Sequence, residues 1–236
     1  MRVKIKLKSK NVILPTNYKY FVQSSIYSNI SDIPDFHNKG FEFENKTFKP
    51  FCFSDFWSEN FKVENKKLFF GDEIEFVLTS PVDLIIKIFL GNILKNGLRL
   101  GNNFLEVSEM SEIKINTAQK ILIKMLSPVT VYEYVKANGK NKTIYYKPTD
   151  KEFSEIIKHN LKSKMELLDM KDEYFNIIPK EVKLNDEKII MYKDNYVVKA
   201  WRGIYEVEGS NNALNLVFDW GIGYKNSAGF GMVDII

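Results

Sequence analysis

The chain has 236 residues with 44% hydrophobic and 27% charged side chains, the profile of a folded globule long enough for one large domain or two smaller ones, not of a disordered polymer. Its net charge of +4 and pI near 8.8 are only modestly basic, while 14% aromatic residues, with 18 Phe and 12 Tyr, exceed what a core needs and allow base stacking. A single cysteine, Cys52, excludes an intrachain disulfide, and with two histidines no Cys/His cluster has zinc-ligand spacing.

The predicted elements begin with a strand. Met1, Val3, Ile5 and Leu7 alternate with Arg2, Lys4, Lys6 and Lys8, giving one apolar and one basic face. That alternation lacks the apolar run of a signal peptide, and the longest apolar stretch, around Val82–Leu94, is broken by Asp83 and Lys87 and too short for a bilayer. A cytoplasmic protein with no membrane partner is expected. After Leu14-Pro15, Thr16 is placed to cap a helix to about Ile30, with Val22, Ile26 and Ile30 as its buried stripe and Tyr20, Ser24 and Tyr27 on an adjacent face. Pro34 opens a short turn carrying His37. Phe41–Trp57 reads as extended, Phe61–Leu78 as a strand or hairpin, Val82–Asn96 as a helix stopped by Gly97, and Leu98–Val107 as a closing strand.

The second half repeats the order. Lys120–Val135 and Thr143–Tyr146 flank an Asn138-Gly139 hairpin turn, and Thr149 or Asp150 caps a helix from Lys151 to Leu168. Strands follow at Glu181–Tyr192 and Asn195–Val207, then a helix at Asn211–Trp220, a glycine-rich loop and a strand at Phe230–Ile235. Two βαββαβ units imply an α+β protein of tandem ferredoxin-like (RRM-like) halves, divided as 1–112 and 113–236.

The glycine-rich run Gly221–Gly231 carries the most specific signal. It lacks the GK[ST] ending of a phosphate loop, and a strand follows where a dinucleotide fingerprint needs a helix. Glycines let a backbone approach a phosphate, and Lys225, Asn226 and Ser227 add donors; a plain helix-to-strand turn is the competing reading. The run Gly223-Tyr-Lys-Asn-Ser-Ala-Gly-Phe-Gly-Met-Val resembles the C-terminal signature of the CRISPR-associated repeat-RNA-processing endoribonucleases, members of the repeat-associated mysterious protein superfamily. Leu14-Pro-Thr-Asn-Tyr18 and Gln23-Ser-Ser-Ile-Tyr27-Ser-Asn-Ile30 resemble that family's first helix.

The resemblance implies metal-independent cleavage of repeat RNA, with no cofactor, by attack of a ribose 2′-OH on its own 3′-phosphate. It places His37 as general acid or base, Tyr27 as a group orienting the 2′-OH, and Lys49 as the cation at the phosphorane, with Lys46 its near substitute. Each has a bland counterpart: a surface imidazole, a packed aromatic ring, a solvated loop lysine. RNA contacts are expected from Arg2, Lys4, Lys6, Lys46, Gly223, Lys225, Asn226, Ser227, Gly229 and Gly231. His159, among helix lysines, reads as a solvated face. The partner implied is CRISPR repeat RNA, single-stranded or hairpin, with other interference-complex subunits or a second copy of the chain left open. The rival reading is a non-catalytic RNA-binding subunit of the same fold; the aromatic run of a generic RNA-recognition motif is absent.

Overall fold

The computed structural model describes residues 1–31, 41–43, 46–137, 139–170, 173–193 and 196–236. The turn expected around His37 falls outside them. The first half runs β1 (Arg2–Pro15), α1 (Tyr18–Asn29), β2 (Phe41–Phe43), β3 (Lys46–Phe48), β4 (Cys52–Phe53), β5 (Lys62–Glu64), β6 (Lys67–Thr79), α2 (Asp83–Asn96), β7 (Leu98–Leu100) and β8 (Asn103–Glu112). The second runs β9 (Lys120–Met125), β10 (Tyr132–Ala137), β11 (Lys140–Tyr145), α3 (Lys151–Leu167), β12 (Phe175–Glu181), β13 (Glu187–Lys193), β14 (Tyr196–Trp201), β15 (Ile204–Gly209), α4 (Asn211–Trp220) and β16 (Val233–Ile235).

Both halves share one topology. The first sheet has the path β4-β6-β1-β8 and the second β12-β15-β9-β16, so each places its second, third, first and fourth strands in that order, with antiparallel neighbours. This is the ferredoxin-like arrangement, made twice. What differs is the decoration. β7 extends the first sheet, β5 flanks β6 and β2 pairs separately with β3, whereas the second half carries two separate hairpins, β10–β11 and β13–β14.

The apolar faces explain the two cores. Val3, Ile5 and Leu7 of β1 pack with Val22 and Ile26 of α1, Ile86 and Phe89 of α2, and Phe76 and Leu78 of β6. Ile123, Ile177, Tyr205 and Val207 from the second sheet pack with Phe153, Ile157 and Leu161 of α3 and Leu214 and Val217 of α4. Each fully buried side chain of this kind contributes about 1.5–3 kcal/mol over leaving it in water.

Several expected boundaries shift. Asn17, not Thr16, is the N-cap of α1, without a side-chain cap bond. The strand expected over Leu98–Val107 is a hairpin, because Gly101 takes a positive φ and β8 runs on to Glu112. The strand expected from Glu181 is split: β12 ends there and a 3-10 turn at Leu184–Asp186 precedes β13. The last strand starts at Val233 instead of Phe230, since the intervening residues belong to the glycine-rich loop.

A polar seam ties the halves. Arg2 is 3% exposed and donates to the carbonyls of Val233 at 2.7 Å and Phe218 at 3.4 Å. Asp55 accepts from Tyr18 at 3.1 Å and from Lys19 in the first half and from Arg202 in the second. Trp220 of α4 donates its indole N–H to the Lys49 carbonyl at 2.9 Å.

Candidate active site

The helix α4 begins at Ser210, whose hydroxyl accepts from the Ala213 N–H, and stops where Gly221 takes φ 75° and donates to the Val217 carbonyl at 2.9 Å. From there to Met232 the chain is a loop whose shape is braced from within. Asn226 is buried; its amide donates to the Ile222 and Phe230 carbonyls, both at 3.0 Å, and its oxygen accepts from Lys164 of α3 at 2.7 Å. Lys164 also donates to the Gly221 carbonyl at 2.9 Å, and burial pulls its amine down to about 7.

The glycines make room for protein. A Cβ on Gly229 would stand 2.3 Å from the Phe53 ring, one on Gly231 1.9 Å from the Ile222 carbonyl, and one on Gly223 2.8 Å from the Thr130 carbonyl. At Gly223, Gly229 and Gly231, expected to lie against RNA, the space a side chain would take is filled by protein. The reading of Asn226 as an RNA donor is corrected, because both ends of its amide are spent holding the loop.

What the braced loop presents is Lys225 and Ser227. Lys225 sits in left-handed conformation at φ 59°, its ammonium 5.3 Å from the Tyr132 ring and 4.8 Å from the Tyr196 ring. Cation–π contact holds that charge in place, while partial burial lowers its pKa. Lys225 and Ser227 line a cleft of about 1050 Å³ shared with Lys49, Tyr134, His159 and Trp220. Tyr27, half-buried on α1, packs its ring edge-on to Phe51 at 5.4 Å and lies beside Ser227. Burial raises the Tyr27 pKa and lowers that of Lys49. Tyr27 thus lies beside Ser227, and Lys49 shares the cleft that Ser227 and Lys225 line.

Comparison with known proteins identifies the scaffold. Residues 109–235 match the family model described as CRISPR associated protein Cas6, C-terminal. The CRISPR-associated endoribonuclease Cas6 of Pyrococcus furiosus is 30% identical over 232 residues, covering 94% of this chain and 83% of its own length. The chain belongs to the Cas6 family. The CRISPR-associated endoribonuclease Cas6 1 of Methanocaldococcus jannaschii is 26% identical over 236 residues, or 99% of this chain and 92% of that protein. Among solved structures, one described as CRISPR associated protein Cas6 has a TM-score of 0.83 at 24% identity, covering 100% of this chain and 99% of its own, and bears out the tandem ferredoxin-like fold.

On this Cas6 scaffold the predicted residues divide. Tyr27, Lys49, Lys225 and Ser227 gather at the loop. His37 lies outside the described residues, as does the side chain of Lys46, the first residue of β3. Arg2 is removed from the RNA-binding set, because its guanidinium is buried on backbone carbonyls of the other half. Lys4 lies 3.3 Å from Glu75, and Lys6 lies 3.4 Å from Glu73 and 3.7 Å from Glu109, so the basic stripe is matched by acids on both neighbouring strands. The alternation Glu73-Ile74-Glu75-Phe76 carried that signal. Gln23, which the sequence does not single out, lies one helical turn before Tyr27 and donates to the Ser227 hydroxyl at 3.4 Å. Its spacing from Tyr20 and Tyr27 marks it as a member of their face.

Proposed function

We propose that this chain cleaves CRISPR repeat transcripts into guide RNAs without a metal ion, by attack of a ribose 2′-OH on the adjacent phosphate, leaving 5′-hydroxyl and 2′,3′-cyclic phosphate ends. The observation that supports this reading is that Lys49 lines one cleft with Lys225 and Ser227, with Tyr27 beside Ser227, in a chain whose relatives are CRISPR-associated endoribonucleases. His37 transfers the proton, its imidazole titrating near neutrality in the free amino acid. Tyr27 stays a neutral phenol, since burial raises its pKa, and so orients the 2′-OH instead of deprotonating it. Lys49 neutralises charge gathering on the phosphorane, and Lys225 holds a neighbouring phosphate.

The test is incubation of the purified protein with the repeat RNA of its own genome in excess EDTA. A single cut with a cyclic phosphate end is expected, and a 2′-deoxy nucleotide at the cut position should block it. His37→Ala should slow single-turnover cleavage about 10²–10⁴-fold, the usual worth of a general acid or base, with RNA affinity little changed. A strict Mg²⁺ requirement, or cutting of the 2′-deoxy substrate, overturns the mechanism. RNA bound tightly and left uncut makes the chain a non-catalytic RNA-binding subunit.

A further inference from the structure

Two clefts meet at the Lys225–Ser227 loop, and their walls differ in charge. The one that holds Lys49 also carries Glu133, Glu152 and Glu155. The other, of about 680 Å³, is lined by Gln23 of α1, Tyr192 and Lys193 of β13, Tyr196 of β14, and Lys225 and Ser227 of the loop. Among the described residues no carboxylate lines it. Both of its ammonium groups are seated on rings: Lys193 Nζ lies 5.0 Å from the Tyr20 ring centroid, and Lys225 Nζ lies 4.8 Å from that of Tyr196. A cation held this way keeps its charge unspent, so an anion meets it with little side-chain freedom left to lose. Lys4 and Lys6 on β1 differ, because glutamates already pair with them.

The walls are braced against one another. The Tyr192 hydroxyl donates to the Gln23 side-chain oxygen, and the Gln23 amide nitrogen donates to the Ser227 hydroxyl at 3.4 Å. Tyr192 also packs edge-on to Tyr20 at 6.1 Å and tilted against Phe230 at 6.3 Å. Val198 and Ala200 of β14 are buried with Ala228 and Phe230 of the loop. The β13–β14 hairpin of the second half is thereby fixed on the first helix, and the cleft between them is preformed. Tyr196, by contrast, stays 39% exposed.

We propose that this second cleft holds an unpaired nucleotide of the repeat RNA: Lys193 and Lys225 take backbone phosphates, and the exposed Tyr196 ring stacks the base. This rests on the reading of the Lys225–Ser227 loop as the place where the chain takes its RNA. Two cations without acids suit a polyanion, whereas the three carboxylates of the Lys49 cleft disfavour a strand continuing into it. The volume is that of a small-ligand site, and a tyrosine ring stacks on any base, so the cleft grips the strand without reading its sequence. In a duplex the base faces are covered by their neighbours, so the Tyr196 contact requires a strand that is unpaired there.

The experiment measures the dissociation constant of repeat RNA carrying a 2′-deoxy nucleotide at the cut position, at several salt concentrations, with thermal unfolding beside it. Lys193→Ala should lower the slope of log affinity against log salt by about 0.7, the value for one single-strand phosphate contact. Tyr196→Ala should weaken binding about five- to a hundredfold, the worth of one stacked base, and Tyr196→Phe, which keeps the ring, should bind as the wild type does. Both side chains are exposed, so the variants should melt near the wild-type temperature. An abasic site is then walked through the repeat. At one position it should cost the wild type what Tyr196→Ala costs, and cost the Tyr196→Ala variant nothing further. The inference is overturned if Lys193→Ala leaves the slope unchanged, or if the Tyr196→Ala and abasic losses add at every position. A Lys193 effect shared by fully paired RNA, with none from Tyr196, would show a hairpin gripping a stem and would also sink it. Wild-type protein that binds no repeat RNA removes the reading of the loop and this inference together. Protein that shows these binding effects but leaves all-ribose RNA uncut fails the cleavage reading and keeps the cleft.

Discussion

The two halves stop their second helix in the same way and then part company. Gly97 after α2 and Gly221 after α4 adopt φ 68° and 75°, and each donates its N–H at 2.9 Å to a carbonyl four residues back, Ile93 and Val217. Beyond Gly97 the chain enters β7 at once and folds into a tight hairpin with β8. Beyond Gly221 it makes the braced loop to Met232 before β16 begins. The helix stop is therefore a common device that says nothing about function. What distinguishes the second half is the chain placed between helix and last strand, and that chain packs on the first half, where Lys19 donates to the Gly229 carbonyl at 2.7 Å. The loop is a site because it is also the seam.

The strongest way to break this comparison is to treat the loop glycines as interchangeable with a glycine in an open turn. Gly231→Ala forces a methyl against the Ile222 carbonyl, a backbone atom with no rotamer to yield, at a φ of 81° that disfavours any side chain. A loss above about 4 kcal/mol, or failure to fold, is expected by denaturant titration. Gly139→Ala, at φ 72° but with nothing within 4 Å, should cost only about 1–2 kcal/mol of left-handed strain. Equal losses at the two positions would mean that the close packing within the loop adds nothing to it.

The same contrast marks where sequence reasoning ran out. Helix α4 is read over its observed span, Asn211–Trp220, before a glycine-rich loop, and α2 ends at Gly97 as expected; these are local signals. The tandem topology followed from such local pieces in order. The glycines resisted, because a positive φ is visible in the residue type while the atom filling the vacant Cβ position, Phe53 or Ile222, is not. Arg2 resisted for the same reason: alternation puts it on the basic face, but its partners Val233 and Phe218 belong to the far end of the chain. Gln23 and Tyr192 gain their meaning only from a loop that lies some two hundred residues beyond α1.

A second test sets the loop cation against the strand cations. Lys225 is steadied by two tyrosine rings with no carboxylate paired to it among the described residues, whereas Lys6 lies between Glu73 and Glu109. Lys225→Ala should weaken repeat-RNA binding across sequences and lower the slope of log affinity against log salt by about 0.7, the single-strand value per lost phosphate contact. Lys6→Ala should leave that slope where it was. The measurement is the dissociation constant at several salt concentrations. If Lys6→Ala lowers the slope as much as Lys225→Ala does, the RNA runs over β1 despite its acidic neighbours.

The smallest expected effect concerns the lysine behind the loop. Lys164 is 1% exposed, bonded to Gly221 and Asn226 and 5.5 Å from the Trp220 ring centroid. Burial brings its pKa to about 7 against an ordinary 10.5, and the neighbouring Cys52 thiol stays neutral because its own burial pushes its pKa up to about 12. Between about pH 7 and 10.5 the unfolded chain therefore keeps a proton on this lysine that the folded chain has released. Stability gains from that group as pH rises through the window, and its cost is greatest below pH 7. The tyrosines raised by burial oppose the gain near pH 10 and above, so the comparison is best made between pH 7 and 9. Lys164→Met removes the titrating group, and its unfolding free energy should rise less steeply with pH than that of the wild type over this range. Parallel profiles would show instead that the two hydrogen bonds keep the ammonium charged throughout, leaving the loop braced by the same cation at every pH tested.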